Sequence, residues 1–516
     1  MPILGSIIKA AIEIGSKIPI KEKSGKADAY RQQKKVLKKL LRKAQITHFG
    51  EYYGFTEILK QRDFVKVFKE RVPVFDYNSI FKKWWYRALN GEAYVCWPTT
   101  TKYFALSSGT SEASSKHIPV TSDMLKSIKK TSIRQIFSLA HYDLPKEFYE
   151  KGILMLGGST HLHFNGTFYE GDLSGITAGN LPFWFQHFYK PGKRISKERQ
   201  WNTKLDEIVK NAKNWDIGVI CGVPAWLQVL MERIIKYYNV DNIHDVWPNL
   251  SIYVHGGVSF KPYAKGFERL LAKPITYMET YLASEGFIAY QSRPNTASMQ
   301  LVLDNGLFYE FVPFTDDNFD NIGNIRETPQ TFTINQVKEG QEYALLISSC
   351  AGAWRYLIGD TIKFTSTELN EIVITGRTKH YLNLCGEHLS QENMNRAIEM
   401  LENQLNIEVP EFTVSGITYE SMFAHKWFLG IDQEVDIEVI RKLIDDNLKL
   451  LNDDYSVERI AAIKDLIVEV LPTKVFYDWM KSKKKEGGQH KFPRVVKNEQ
   501  FTEWESFIQE YKQTLN

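Results

Sequence analysis

Between residues 150 and 380, short apolar runs alternate with segments of helical periodicity, and this alternation narrows the choice of fold more than any other feature. The predicted strands are 152–158, 216–222, 251–257, 274–280, 307–313 and 343–349, and the predicted helices are 121–139, 224–238 and 261–272. Strands that alternate with helices of this length predict a layered α/β fold with largely buried strands, in which ligands bind at the carboxyl ends of the strands.

A smaller unit follows the change of pattern near residues 376–377. Its predicted elements are helix 391–404, strands 411–419 and 425–431, helix 435–450, strand 464–470 and helix 473–484. These elements suffice for a separate α+β domain. We therefore predict a large N-terminal domain over residues 1–380 and a smaller C-terminal domain over residues 381–516.

The composition is that of an ordinary globular protein, with 43% apolar and 24% charged residues. The net charge of +4 is small for 516 residues and gives no argument for nucleic acid as a partner. The four cysteines are far apart, which argues against a disulfide framework or a zinc cluster and fits a reducing compartment. His161 and His163 could begin a metal site, but no third ligand follows at a recognisable spacing, so loop histidines are favoured.

The apolar N-terminus is interrupted by Lys9 and Glu13, which makes it a poor signal peptide, and no run approaches the roughly 18 apolar residues needed to span a bilayer. Residues 30–45 form a basic amphipathic pattern that suits either a membrane surface or, as we favour, a helix docked on the core. We expect a cytoplasmic monomer that binds neither membranes nor nucleic acid.

The stretch SSGTSEASSK, from Ser107 to Lys116, places a hydroxyl-rich turn and a cation between a strand-like run and a probable helix. Backbone N–H groups in such a turn can converge on an anion, and hydroxyls and a lysine add further donors. The turn lacks both the Walker pattern and the glycine spacing of a dinucleotide fingerprint. Taken alone, it is either a phosphate site or a serine-rich turn that caps a helix.

Further polar clusters lie at the ends of later strands. They provide glycines for close approach to a ring, a carboxylate for Mg²⁺, an aspartate for ribose hydroxyls and an arginine for phosphate or ribose. The residues concerned are Gly256, Gly257, Tyr281, Glu285, Asp360 and Arg377. Together with the turn, they predict a nucleotide site.

Taken in order, the stretches SSGTSEASSKHIP, YLASEG, RYLIGD, GR and GGQHKFPR resemble the Gretchen Hagen family of acyl acid–amido synthetases. This family comprises auxin-responsive plant enzymes and their bacterial relatives, within the adenylate-forming superfamily that includes firefly luciferase. The resemblance covers nearly the whole chain. It implies a large adenylation domain and a small mobile domain that rotates about a hinge near residues 376–386.

The resemblance also implies roles for individual residues. Those of the phosphate loop are Ser107, Ser108, Gly109, Thr110, Ser111 and Lys116. Tyr281 would lie near the nucleotide, Glu285 would hold Mg²⁺, and Asp360 would bind the ribose. Arg377 would lie beside the hinge, and the small domain would deliver Lys491 as a catalytic cation.

The chain departs from the family pattern at three positions. Glu112 and Ala113 stand where plant members often have glycines, and a carboxylate beside the phosphate loop must point away or weaken binding. Leu357 stands where plant members usually carry a second arginine. The positive charge that those members carry at this position is therefore absent from this chain.

The predicted reaction uses ATP and Mg²⁺ to convert a carboxylic acid into an acyl-adenylate, and then transfers the acyl group to an amine, expected to be an amino acid. An acyl-CoA synthetase with a different acceptor is the alternative, and a nucleotide-binding scaffold without catalysis is a weaker one. For the acyl pocket we consider Phe183, Trp184, Phe185, Trp226 and His255, which could enclose an apolar or aromatic acid. Each of these rings could equally fill ordinary core.

Overall fold

The described chain separates into two compact units. A computed structural model describes residues 9–10, 12–15, 25–108, 115–181, 183–257, 260, 263–320, 323–379, 381–387, 389–483 and 492–515. The first unit contains the residues up to 107 together with 116–378, and the second contains 108–115 together with the residues from 379 onwards. Each unit has its own sheets and its own apolar core.

The strands of the first unit build one large and one small sheet. In chain order they are β1 (Tyr103–Ser108), β2 (Ser115–Val120), β3 (Gly152–Leu156), β4 (His163–Phe164), β5 (Tyr169–Gly171), β6 (Tyr189–Lys190), β7 (Ile217–Gly222), β8 (Ile252–Gly256), β9 (Thr276–Ala283), β10 (Gly286–Tyr290), β11 (Met299–Leu301), β12 (Leu307–Pro313), β13 (Glu342–Ser349), β14 (Tyr356–Ser366) and β15 (Glu371–Arg377). Within the described residues, eleven of them form the sheet β12-β13-β14-β15-β11-β10-β9-β8-β7-β3-β6, and β2-β1-β5-β4 form the other.

The large sheet has a parallel half and an antiparallel half that meet at β9. Strands β6, β3, β7, β8 and β9 are parallel, and each pair from β9 through β10, β11, β15, β14 and β13 to β12 is antiparallel. Parallel strands need crossover connections, and helices supply them here. The helices of seven or more described residues in this unit are α1 (Lys26–Ala44), α2 (Phe64–Arg71), α3 (Ser122–Ser138), α4 (Leu173–Gly179), α5 (Trp201–Asn211) and α6 (Pro224–Tyr238).

Helix α1 explains the basic amphipathic pattern near the N-terminus. Its apolar face, including Leu37, Leu41 and Ala44, is buried in the main core of the first unit. The buried Gln33 satisfies its amide by donating to the carbonyls of Leu303 and Leu307. The interpretation of this segment as a helix docked on the core is confirmed. Within the described residues, none of the helices combines the length and the apolar character needed to cross a bilayer.

The second unit contains β16 (Tyr381–Leu382), β17 (Leu389–Ser390), β18 (Glu411–Tyr419), β19 (Met422–Gly430) and β20 (Ile463–Leu471). Its helices are α7 (Gln391–Leu405), α8 (Ile437–Leu451), α9 (Asp453–Ala461), α10 (Thr473–Ser482) and α11 (Asn498–Leu515). Strands β18 and β19 are antiparallel, whereas β19 and β20 are parallel. The aromatic residues Phe476, Phe492 and Trp504 form the centre of one of its apolar clusters.

Several predicted elements differ from the observed ones. The predicted helix 261–272 is observed only as a short helix over Ala264–Glu268. Helices α9 and α11 were not predicted, and neither were strands β10 and β14 as separate elements, whereas a strand leading into Gly376 and Arg377 was expected and is observed as β15. Asp360 was expected in a turn after a strand, but it lies inside β14.

Candidate active site

Tyr281, Asp360 and Arg377 form one hydrogen-bonded group on the antiparallel half of the large sheet. The register of β14 and β15 places Asp360 opposite Arg377, whose Nε donates to Asp360 Oδ1 at 2.7 Å. The Tyr281 hydroxyl, from β9, donates to Asp360 Oδ2 at 2.5 Å. Burial, followed by the charge of Asp360, raises the pKa of Tyr281 well above its usual value, so the phenol keeps its proton.

Glu285 lies in the two-residue turn that joins β9 and β10. The register pairs Ala283 with Gly286, and Gly286 adopts a φ of 149°, which favours glycine at the end of the turn. The Glu285 side chain is buried. Burial raises the pKa of its carboxyl above the usual value, although its own backbone N–H and the charge of Lys116 oppose this increase.

Lys116 lies on β2, and its ammonium nitrogen is 5.4 Å from the ring centre of Tyr77. Its charge acts on Glu285, as do the charges of Asp360 and Arg377. The structure therefore brings Lys116, Tyr281, Glu285, Asp360 and Arg377 into one electrostatic cluster. We call these five residues the charged cluster.

The predicted phosphate loop lies only partly within the described residues. Ser107 and the backbone of Ser108 end strand β1, and the strand β2 that follows the loop begins at Ser115. Gly109, Thr110 and Ser111 lie outside the described residues, and so does Lys491. The predicted roles of these residues stay predictions.

Gly256 is the last residue of strand β8, and Gly257 follows it. A Cβ atom on Gly256 would come within 2.4 Å of the backbone oxygen of Thr280 on β9, so the two strands could not keep their spacing. Gly257 has a φ of 84°, and its Cβ position faces open space. Only the first glycine is required by strand packing.

A cavity of about 510 Å³ opens beside these glycines. Residues next to the charged cluster in sequence, Leu282 and Ser284, line it together with Gly256 and Gly257. The predicted pocket residues Trp226 and His255 also line it, as does Phe185. The backbone of Phe183 and Trp184 lies in a short 3₁₀-helix over Phe183–His187, but their side chains lie outside the description.

His255 is buried in the wall of this cavity. Its ring stacks on Phe260 with centroids 5.0 Å apart, and its Nδ1 atom has no hydrogen-bond partner within the described structure. Burial lowers the pKa of His255 to about 4, so the imidazole is neutral near pH 7. It can therefore serve as a neutral polar group of the pocket wall.

One end of the cavity carries polar residues that the sequence analysis missed. Lys204, on α5, is buried there and donates to the carbonyl of Gly157 at 3.1 Å. Burial lowers the pKa of this ammonium group, and the charge of Asp172 opposes the decrease. No motif marks Lys204, because only the packing of α5 on the sheet places it at the cavity.

Two residues of the RYLIGD stretch lie away from the charged cluster. Arg355 forms a buried ion pair with Glu310 of β12, at 2.9 Å, and also donates to the carbonyl of Val72. Leu357, where plant members usually carry arginine, packs in an apolar cluster with Val312 and Leu346. Leu357 is therefore a core residue in this chain.

His163, one of the two histidines considered as the start of a metal site, contacts a carboxylate in the structure. His163 contacts Glu170 at 2.7 Å, and His117 contacts the same carboxylate at 3.0 Å. Among the residues that the structure describes, no group of three or more His, Cys, Asp and Glu side chains could by itself hold a metal ion. The single carboxylate of Glu285 still suits Mg²⁺, which commonly takes one or two protein carboxylates and completes its coordination with substrate phosphates and water.

Solved structures define the class of fold. An acyl acid amido synthetase in complex with 2,4-DB is 16% identical, with a TM-score of 0.56 over 99% of this chain and 96% of that chain. A 2-hydroxyisobutyryl-CoA ligase in complex with 2-HIB-AMP and CoA is 12% identical, with a TM-score of 0.56 over 96% of this chain and 93% of that chain. The chain therefore has the α/β fold of adenylate-forming enzymes.

Sequence comparisons define the family. The chain matches the GH3 family N-terminal domain over residues 23–162, the GH3 family central domain over 300–377 and the GH3 family C-terminal domain over 392–500. A jasmonoyl–L-amino acid synthetase of Nicotiana attenuata is 22% identical over 456 residues, which are 75% of this chain and 76% of that protein. The domain matches cover more than half of the chain, and the chain belongs to the GH3 family.

Proposed function

We propose that this protein is an ATP-dependent ligase that activates a carboxylic acid as an acyl-adenylate and transfers the acyl group to an amino acid, forming an amide. Membership of the GH3 family and the names of its relatives support this activity. The observation that carries the proposal is the buried charged cluster, which adjoins a largely apolar cavity through Leu282 and Ser284. This arrangement offers separate places for a polyphosphate and for an acyl group.

The chemistry requires two displacements. A carboxylate oxygen of the acid attacks the α-phosphorus of ATP, and the bond to the bridging oxygen breaks to release pyrophosphate. The nitrogen of the amine then attacks the acyl carbon, loses a proton, and AMP leaves. Neither step needs a serine or cysteine nucleophile, so the protein's task is to position the reactants and to neutralise charge.

Residues of the charged cluster have distinct proposed roles. Asp360 accepts hydrogen bonds from the ribose hydroxyls, and Tyr281 orients Asp360 through the 2.5 Å hydrogen bond. Lys116 and Arg377 supply positive charge toward the phosphates. Glu285 would hold Mg²⁺, which neutralises phosphate charge when it is bound. The hydroxyl-rich turn from Ser107 to Ser111 would supply further phosphate donors.

The second unit is proposed to act as a mobile domain that rotates about residues 376–386 and delivers Lys491 for adenylation. Two different half-reactions at one adenylate need two arrangements of catalytic groups, and this requirement supports the proposal. A cytoplasmic location is also proposed, since all four cysteines are free thiols and the reaction consumes ATP. A monomeric state stays a prediction.

The proposed function is tested by incubating the protein with ATP, Mg²⁺ and a panel of carboxylic acids, in parallel with amino acids or with coenzyme A. We expect release of AMP that depends on the acid, and mass spectrometry should identify an N-acyl amino acid. A thioester formed only with coenzyme A would identify an acyl-CoA synthetase instead. Nucleotide binding without AMP formation under every condition would reject both enzymes.

A further inference from the structure

The apolar part of the cavity follows one face of the large sheet along the strand direction. Ile252 and Val254 of β8 line it on the N-terminal side of Gly256. Val219 and Cys221 of the neighbouring strand β7 also line it. These are alternate residues, so their side chains share one face of the sheet. The register pairs Val219 with Ile252 and Cys221 with Val254, so the two strands form matching levels of one wall.

Helix α3 and the turn after it form the opposite wall. Their lining residues Ser132, Gln135, Ile136 and Leu139 recur at the spacing of one helical face. The Ser132 hydroxyl already donates to the carbonyl of Ile128 within the helix. The cavity is therefore a channel between a helix and a sheet, two surfaces that pack directly in most proteins.

An empty space of this kind is unfavourable, because cavities in apolar cores lower stability. Ile136, Ile153 and Val254 pack against an apolar cluster, but their side chains are only partly buried. A bound apolar molecule would complete the contacts of these side chains. The polar residues Lys204 and Asp172 lie against Gly157 and Gly158, which follow the carboxyl end of β3.

We propose that this channel, the sheet-facing channel, binds the chain of a linear aliphatic carboxylic acid of medium length. The proposal rests on the proposed function, because the carboxylate must lie at the mouth, beside Gly256 and Ser284. The channel extends from Gly256 to Ile252, which is about 13 Å at ~3.3 Å per strand residue. A bond of ~1.52 Å and an angle of ~111° give an extended alkyl chain a length of ~1.25 Å per carbon. The channel therefore accommodates a chain of roughly ten carbons.

The Ile252 end of the channel lies against an apolar cluster. Val219, Ile252 and Met278 lie in the same apolar cluster as Tyr142 and Phe148. A longer chain would have to displace this packed cluster, which native cores resist. The sheet-facing channel thus sets an upper limit to chain length as well as a preference for apolar chains.

The wild-type test measures kcat/KM for AMP release with straight-chain acids from butanoic to hexadecanoic, and with benzoic and indole-3-acetic acids. We expect kcat/KM to rise roughly fourfold for each added methylene, as its burial predicts, to a maximum near decanoic acid, and then to fall. A preference for short or aromatic acids with no activity on decanoic acid would overturn the proposed substrate class. That result would leave the ligase function standing.

Two matched variants test the location of the chain. Val254→Phe places a ring halfway along the channel, and we expect the optimum to move to acids several carbons shorter. Ile220→Phe adds a ring of the same size to β7 on the opposite face, and we expect the wild-type optimum. An optimum that is equal in all three proteins would overturn the assignment of this channel.

Binding provides a readout that does not depend on catalysis. Decanoate without ATP should raise the thermal unfolding temperature of the wild-type protein more than butanoate does, and Val254→Phe should abolish the difference. If no acid supports AMP release, the proposed function fails, and this measurement still decides the channel. Equal shifts with decanoate and butanoate would overturn it.

Discussion

At the scale of single residues, Glu285 is a carboxyl group whose buried environment opposes its charge. It is buried with a raised pKa, although Lys116 and Arg377 act to keep it ionised. A carboxyl group held this way contributes little to folding and is typical of functional sites.

We therefore expect Glu285→Ala to lower the rate of pyrophosphate exchange into ATP by about 100-fold or more, as loss of one electrostatic contact in a catalytic site commonly does. The temperature of thermal unfolding should stay equal or increase, because an unfavourable burial is removed. Exchange measured with saturating acid and ATP, together with a melting curve, checks both effects. Unchanged exchange would remove Glu285 from the mechanism.

At the scale of secondary-structure elements, the contact of β8 with β9 determines how the cavity meets the charged cluster. Gly256 lets the two strands approach, since a Cβ there would meet the Thr280 backbone oxygen at 2.4 Å. We expect Gly256→Ala to destabilise the protein by about 1–3 kcal/mol, as overpacked sites do. Urea unfolding measures this change.

Gly376→Ala is the matched control for stability. Gly376 lies in β15 of the same sheet, and the nearest atom to its Cβ position is Thr361 Oγ1 at an ordinary 3.6 Å. We expect its free energy of unfolding to stay within about 0.5 kcal/mol of wild type. Equal losses in the two variants would show that the β8–β9 contact is not the cause.

At the scale of the whole molecule, the proposed rotation of the second unit assigns separate groups to the two half-reactions. Lys491→Ala should lower the rate of adenylation by about 100-fold, because the proposed function assigns this cation to the phosphates. Transfer from a chemically prepared acyl-adenylate to the amino acid should change much less. Single-turnover measurements of each step check the prediction, and equal losses in both would contradict alternation of the domains.

The second unit also contains a pH-sensitive carboxylate, the buried side chain of Glu387. Burial alone would raise the pKa of Glu387, but the hydrogen bond with His425 at 3.1 Å and those from the backbone N–H groups of Cys385 and Leu384 outweigh it and lower the pKa to about 2. A depressed pKa means that the carboxylate stabilises the fold above its unfolded pKa of about 4.3, and that this contribution is lost as the pH falls toward 2.

Glu387→Gln should therefore destabilise the protein by on the order of 3 kcal/mol at pH 7, because the interactions that lower the pKa of this carboxylate are lost. The difference from wild type should shrink steadily between pH 5 and pH 2.5. Denaturant unfolding at several pH values measures it. A difference that does not change with pH would show that the charge of Glu387 is not what stabilises this unit.

Local patterns determined much of the secondary structure. Helix α6 begins and ends where the sequence predicts, because Pro224 suits the first helical turn and Asn239 adopts the left-handed conformation after the last. Strands β12 and β18 were also predicted with correct bounds. Periodicity and turn residues act over a few neighbours, so the sequence alone expresses them. The ordered motifs likewise identified the family, which the comparisons confirm.

The geometry of the candidate site was decided only by the tertiary structure. The approach of Asp360 to both Arg377 and Tyr281 depends on the register of β14 with β15 and on the position of β9, which no local pattern contains. Lys204 and the sheet-facing channel depend on how far α5 and α3 stand from the sheet. Local sequence determines which side chains are available, whereas long-range packing determines which of them meet, because contacts between distant segments depend on the whole fold.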